Sequence, residues 1–169
     1  MTDKESKEDA VLLGPNVHIS SHPVLSHKIT VLRSSSTLPT VFRQLLREVT
    51  YHLGYEATTN IAVKPMNISV PVGGDHIDHV GVHIKDNVAL IPILRSGLGL
   101  VDAMLELLPN ASIHHIGMYK SHSSADHVPI QYYNRLPRQC DADVAYVLDP
   151  VIGTASTIMS VIGILKKVC

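Results

Sequence analysis

The chain has 169 residues, 45% of them hydrophobic, and 14 basic against 15 acidic side chains leave a formal net charge of −1. That length suits one domain with a substantial core, and the near-neutral balance without a long basic run excludes the electrostatic footprint of a nucleic-acid or anionic-membrane binder. Cys140 and Cys169 are too few for a disulfide framework, Met1–Ala10 is charged where a signal peptide is apolar, and no apolar run approaches a membrane span. The expectation is a cytoplasmic protein whose partners are small molecules or protein.

In chain order, residues 1–20 read as a mobile polar tail, leaving 21–169 as the folded domain. From His22 to Arg33 apolar and basic residues mix without a clear period. Ser34, Ser35, Ser36 and Thr37 then offer N-caps for a helix whose face is Phe42, Leu45, Leu46, Val49 and Leu53, with Gly54 at its C′ position. Met66, Ile68, Val70 and Val72 alternate with Asn67, Ser69 and Pro71, predicting a half-buried edge strand, and Val80, Val82 and Ile84 repeat the alternation.

Val88–Leu94 is almost wholly apolar and reads as a central strand buried on both faces. It ends in Arg95-Ser96-Gly97-Leu98-Gly99, and a helix follows with Leu100, Val101, Met104, Leu105 and Leu108 inward until Pro109-Asn110. Ile113–Tyr119 is a further strand. The polar run from Lys120 to Val128 reads as a loop or hairpin arm over a site, and Ile130–Tyr133 returns from it.

Val144–Leu148 is an apolar strand that stops at Asp149-Pro150. The turn Val151-Ile152-Gly153-Thr154-Ala155-Ser156-Thr157 is small and hydroxyl-rich, and Ile158, Val161, Ile162 and Leu165 carry a helix onward to Lys167. The first turn of a helix has N–H groups without internal partners and a partial positive charge, so anions dock there. Thr154, Ser156 and Thr157 add hydroxyl donors, and Asp149 can accept from sugar hydroxyls, which suggests a ribose phosphate. The plainer alternative is a strand-to-helix connection capped by Ser156 or Thr157.

Strands alternating with helices imply an α/β fold, a mostly parallel twisted sheet flanked by helices with a β-hairpin arm. Two glycine-bearing loops, Arg95–Gly99 and Asp149–Thr157, would lie at one carboxyl edge and share a ligand. His76, His79 and His83 with Asp75 and Asp78 give no four-ligand geometry by spacing, so no metal site is assigned. His114 and His115, adjacent in a strand, would point to opposite faces. Tyr132 and Tyr133 read as packing residues.

The run Ile91-Pro92-Ile93-Leu94-Arg95-Ser96-Gly97-Leu98-Gly99, the stretch Ile116-Gly117-Met118-Tyr119-Lys120, the Pro129–Leu136 segment with its paired tyrosines, and Leu148-Asp149-Pro150 with its loop resemble the uracil phosphoribosyltransferase family. His22-Pro23, the Phe42 helix and Tyr55-Glu56-Ala57-Thr58 match in the same order. The resemblance implies a phosphoribosyltransferase fold and transfer of ribose 5-phosphate from phosphoribosyl pyrophosphate (PRPP) to uracil, giving UMP and pyrophosphate. It implies Mg2+ accompanying PRPP, GTP as a conceivable activator, and a homo-oligomer, dimer or tetramer. By the same resemblance Asp149, Pro150, Val151, Ile152, Gly153, Thr154, Ala155, Ser156 and Thr157 would hold the ribose and 5-phosphate. Arg95, Ser96, Gly97 and Lys120 would face the pyrophosphate.

Three departures stand out. The family usually has two glycines where this chain has Ala155 and Ser156, and arginine where Lys120 stands. It also continues past the last helix with a segment that recognises uracil, which nothing here matches. The domain therefore reads as incomplete at its C-terminus, with no uracil-binding residue assigned. The rival expectation is an inactive or truncated homologue that binds a sugar phosphate or serves as an oligomerising subunit.

Overall fold

A computed structural model describes residues 14, 16–120 and 129–168; the expected tail up to residue 13 and the run 121–128 lie outside the described residues. Helix α1 spans Pro23–Arg33, in the segment that showed no clear period. Its start signal is local: Pro23 occupies the first turn, and His22 caps it, its Nδ1 accepting the Val24 N–H at 3.2 Å. Helix α2 runs Pro39–Ala57 with Leu38 as N-cap and no side-chain cap, so the serine run does not start it. Ser34 instead closes α1, its N–H donating to the Val31 carbonyl.

Gly54 lies inside α2, not past its end. A Cβ there would come 2.5 Å from Leu107 Cδ1 and 2.9 Å from Met104 Sδ, so the glycine lets α2 close on α3, Leu98–Leu107. The buried positions of α2 are Val49, Thr50 and Gly54, while Phe42 and Leu53 of the expected stripe stay exposed. Arg47 and Tyr51 reach Glu106 of α3 across the same junction.

Strands β1, Val63–Val72, and β2, Asp75–Ile84, form a two-stranded antiparallel hairpin separate from the main sheet. Gly73 and Gly74 take φ of 59° and 100° at its tip, the positive pair that a tight right-twisting hairpin turn needs. The alternation was correctly a strand signal, but the half-buried expectation fails, because nearly every position of both strands is exposed. Alternation reports pleating, not whether anything covers a face.

The main sheet is built on β3, Val88–Leu94, which is buried from Val88 to Ile93. Strand β7, Val144–Leu148, pairs parallel along one edge, from Val88↔Val144 to Pro92↔Leu148. Along the other edge lie β4, Ser112–Ile113, and β5, Ile116–Lys120, both parallel to β3. The single strand expected over Ile113–Tyr119 is interrupted at His114-His115, which are therefore not strand neighbours on opposite faces; the His114 N–H still reaches the Leu90 carbonyl at 2.9 Å. Beyond β5, β6 (Pro129–Asn134) pairs antiparallel. The two strands flank the run where an arm was expected.

Alternate β3 side chains enter opposite cores. Val88 and Leu90 pack with Val101, Met104 and Leu108 on the α3 side. Ile91 and Ile93 pack with Ile116, Met118 and Val161 on the side of α4, Ser156–Leu165. The α/β fold with helices on both faces of a mostly parallel sheet is as expected.

Candidate functional site

Three parallel strands, β3, β5 and β7, bring their carboxyl ends to one rim, and each delivers a predicted residue there. After β3 comes Ser96, after β7 Asp149, and Lys120 ends β5. Gly97 explains how the first loop approaches the end of β7: a Cβ on it would lie 2.3 Å from the Leu148 carbonyl oxygen and 2.7 Å from the Ile93 nitrogen. With the loops so close, Ser96 Oγ donates to Asp149 Oδ1 at 3.1 Å. The two glycine-bearing loops are thus physically joined.

The second loop is held from the opposite side. Lys120 Nζ donates to Thr154 Oγ1 at 2.7 Å, and Thr154 Oγ1 lies 3.0 Å from Ser156 Oγ. Neither Ser156 nor Thr157 caps α4; the N-cap is Ala155, which makes no side-chain cap hydrogen bond and adopts a left-handed φ of 60°. An L-residue there costs roughly 1–2 kcal/mol relative to the right-handed region. Glycine would be free of that cost.

Between these loops is a cavity of about 300 Å³. Of the predicted residues, Ser96, Lys120, Asp149, Val151, Ile152, Gly153, Thr154, Ala155 and Thr157 line it. Four do not. Gly97 is buried beneath the junction, Pro150 is half-buried beside it, and Ser156 touches it only through Thr154. Arg95 lines an adjoining hollow with Leu94, Met118, Tyr119 and Tyr132. Leu94, Met118 and Tyr119 line both cavities, so they share a wall.

Reasoning from sequence missed Met118 and Tyr119 as lining residues. The signal was present: they immediately precede Lys120, at the carboxyl end of a parallel strand. Among the described residues no group of three or more His, Cys, Asp or Glu could hold a metal ion, so the histidines of β2 form no such site. Chemically the cavity offers, among the described residues, one cation, one carboxylate, several hydroxyls and the uncapped first turn of α4. Such a set grips an anion at one end and hydroxyls near Asp149.

The sequence model described as uracil phosphoribosyltransferase matches residues 19–168. The chain belongs to the uracil phosphoribosyltransferase family. It is 40% identical over 151 residues to the uracil phosphoribosyltransferase of Roseiflexus sp. (strain RS-1), covering 89% of this chain and 70% of that protein. To the uracil phosphoribosyltransferase of Thermosipho melanesiensis it is 38% identical over 152 residues, with the same coverage of each chain. Among solved structures, the AQ2163 protein from Aquifex aeolicus superposes with a TM-score of 0.75 at 27% identity, over 89% of this chain and 70% of that one. The paired loops therefore sit in a family whose named reaction handles a sugar phosphate. No helix among the described residues is long and apolar enough to cross a membrane.

Proposed function

We propose that this protein is a uracil phosphoribosyltransferase, converting uracil and PRPP to UMP and pyrophosphate. The observation that carries the reading is the Ser96–Asp149 hydrogen bond, which joins two loops from neighbouring parallel strands around one cavity. In this reading the 5-phosphate lies on the first turn of α4 and the hydroxyls of Thr154 and Thr157. Asp149 accepts from the ribose hydroxyls, oriented by Ser96. Gly97 allows the approach, and the backbone of Pro150, Val151, Ile152, Gly153, Ala155 and Ser156 shapes the cradle.

The chemistry needs little proton transfer. The bond from the anomeric carbon to pyrophosphate breaks with its electron pair on the leaving group, so the protein's task is positioning and stabilising an anion. Lys120 at the cavity wall and Arg95 next to it supply positive charge for that step. A non-catalytic role gains no support from the site, because Ser96, Lys120, Asp149 and the loop all reach one cavity.

The residues fit Mg2+ carried on the diphosphate rather than in a cage of side chains: among the described residues Asp149 is the one carboxylate in the lining, and Mg2+ keeps waters and substrate oxygens as ligands. Bound there it would neutralise charge on the diphosphate. The same reading includes a cytoplasmic location, a response to GTP and a homo-oligomer. The oligomer is supported by the β1–β2 hairpin, which leaves Val80 62% and Val82 74% exposed on one face and Met66 and Ile77 exposed on the other. Sedimentation would show a dimer or tetramer.

The deciding experiment measures UMP formation from uracil and PRPP, with and without GTP, beside a calorimetric titration of PRPP. Turnover establishes the reading. Binding without turnover would leave a sugar-phosphate binder, and no binding would reduce the loop to a structural turn.

A further inference from the structure

Residues 149–154 cross the rim with little to hold them. Val151, Ile152, Gly153 and Thr154 are exposed, and a Cβ on Gly153 would meet nothing within 4 Å. Among the described residues no backbone hydrogen bond ties this stretch to another part of the chain. Two side-chain bonds do so: Ser96 Oγ to Asp149 Oδ1 at its start, 3.1 Å, and Lys120 Nζ to Thr154 Oγ1 at its end, 2.7 Å.

Of the partners in the second bond, Lys120 is the fixed one. Its strand β5 runs parallel to β3, with Leu94 opposite Gly117, and antiparallel to β6, where Lys120 itself faces Pro129. An ammonium can only donate, so Thr154 Oγ1 receives this bond on a lone pair and its own proton is turned elsewhere. Ser156 Oγ, in the first residue of α4, lies 3.0 Å from it, and the rest of its surroundings is the cavity. Lys120 therefore both ties the loop down and aims the Thr154 hydroxyl. Holding a loop costs conformational entropy, and a bond made before the ligand arrives spares the ligand that cost.

We propose that Lys120 is a positioning residue of the phosphate cradle: through Thr154 it orders the loop and presents that hydroxyl as a donor before a sugar phosphate binds. The inference rests on the phosphoribosyl-transfer reading and adds to it, because the family resemblance gives Lys120 only the pyrophosphate end. Two N–H groups of the ammonium stay free of Thr154, so the tie leaves its charge at the cavity wall.

The test is a double-mutant cycle on ribose 5-phosphate binding, read by calorimetry, with Lys120→Met, Thr154→Val and the two combined. Backbone amide order parameters of residues 151–155 are measured beside it in the ligand-free proteins. Both substitutions roughly keep the side chain's bulk and remove the bond. Each single variant should bind ribose 5-phosphate about tenfold more weakly. The double should fall short of the product of those losses by about fivefold or more, because the second substitution finds the shared bond already gone. Loop order parameters should drop in every variant, to below about 0.6 where a rigid backbone gives about 0.85. Losses that simply multiply would reveal two independent ligand contacts and overturn the proposal. Unchanged order parameters overturn it as well, and so does a loosened loop whose ribose 5-phosphate affinity is unmoved, the mark of a purely structural tie. A wild type that binds no ribose 5-phosphate overturns the functional reading itself.

Discussion

Ser96 and Asp149, 53 positions apart in the chain, meet in a 3.1 Å hydrogen bond that ties the loop after β3 to the loop after β7. The hydroxyl donates, so it fixes one carboxylate oxygen of Asp149 and leaves the other for a ligand. Removing the donor with Ser96→Ala should weaken ribose 5-phosphate binding about fivefold, the worth of roughly 1 kcal/mol. Asp149→Asn removes the charge and should cost about 2 kcal/mol, roughly thirtyfold. Calorimetry reads both, and an Asn variant that binds as wild type would place the ribose elsewhere.

Ala155 carries the reverse expectation. At φ 60° its Cβ is strained, and the methyl also lines the cavity. Ala155→Gly relieves about 1–2 kcal/mol of strain and gives back about 0.5–1 kcal/mol through the freer unfolded chain. The net gain of about 0.5–1 kcal/mol should raise the melting temperature by roughly 1–3 °C. Tighter binding of ribose 5-phosphate should accompany it, and a lowered melting temperature would show that the left-handed turn is not the state in solution.

Gly97 should tolerate nothing larger. A Cβ would meet two backbone atoms, the Leu148 oxygen at 2.3 Å and the Ile93 nitrogen at 2.7 Å, neither of which can swing away as a side chain can. Gly97→Ala should therefore destabilise by about 3 kcal/mol and part the two loops. Urea unfolding measures the first effect, and loss of ribose 5-phosphate binding in the still-folded protein the second.

How far the sequence revealed this arrangement depended on whether each signal was local. The strand Val88–Leu94 and the Asp149–Thr157 turn stood out because a doubly buried strand must be continuously apolar and must end at polar residues. Helix α1 was obscured because its basic residues blur the period, although His22-Pro23 marked its start. Gly54 looked like a helix end because its true reason, contact with Met104 and Leu107, lies about fifty residues away. Arg95 stood out as the basic residue ending the central strand, but that it shares a hollow with Tyr132 depends on a bulge between two strands, which no spacing within either strand records.

Tyr146 offers a pH readout away from the site. Burial, and then the charge of Asp86, pushes its phenol above the ordinary value near 10, and its hydroxyl points to the Ala57 carbonyl at 3.5 Å. A pKa raised in the folded state stabilises fully below the unfolded value and loses that contribution as pH rises through the folded one. Thermal melts from pH 9 to 11 should fall more steeply for wild type than for Tyr146→Phe. Absorbance titration at 295 nm should show a late phenolate that is missing in the variant. Parallel melting curves would overturn the assignment.

Beyond Ile84 at its base, which packs on the core beside α3, the β1–β2 hairpin pairs only with itself among the described residues. Its ladder can open and re-form while β3 stays shut, so backbone amides between Val63 and Ile84 should exchange with deuterium far sooner than those of the central strand. A substitution on that arm should alter what the molecule meets while leaving ligand binding at the rim unchanged. Outline and reactivity are thus separately heritable here, and selection can revise one without renegotiating the other.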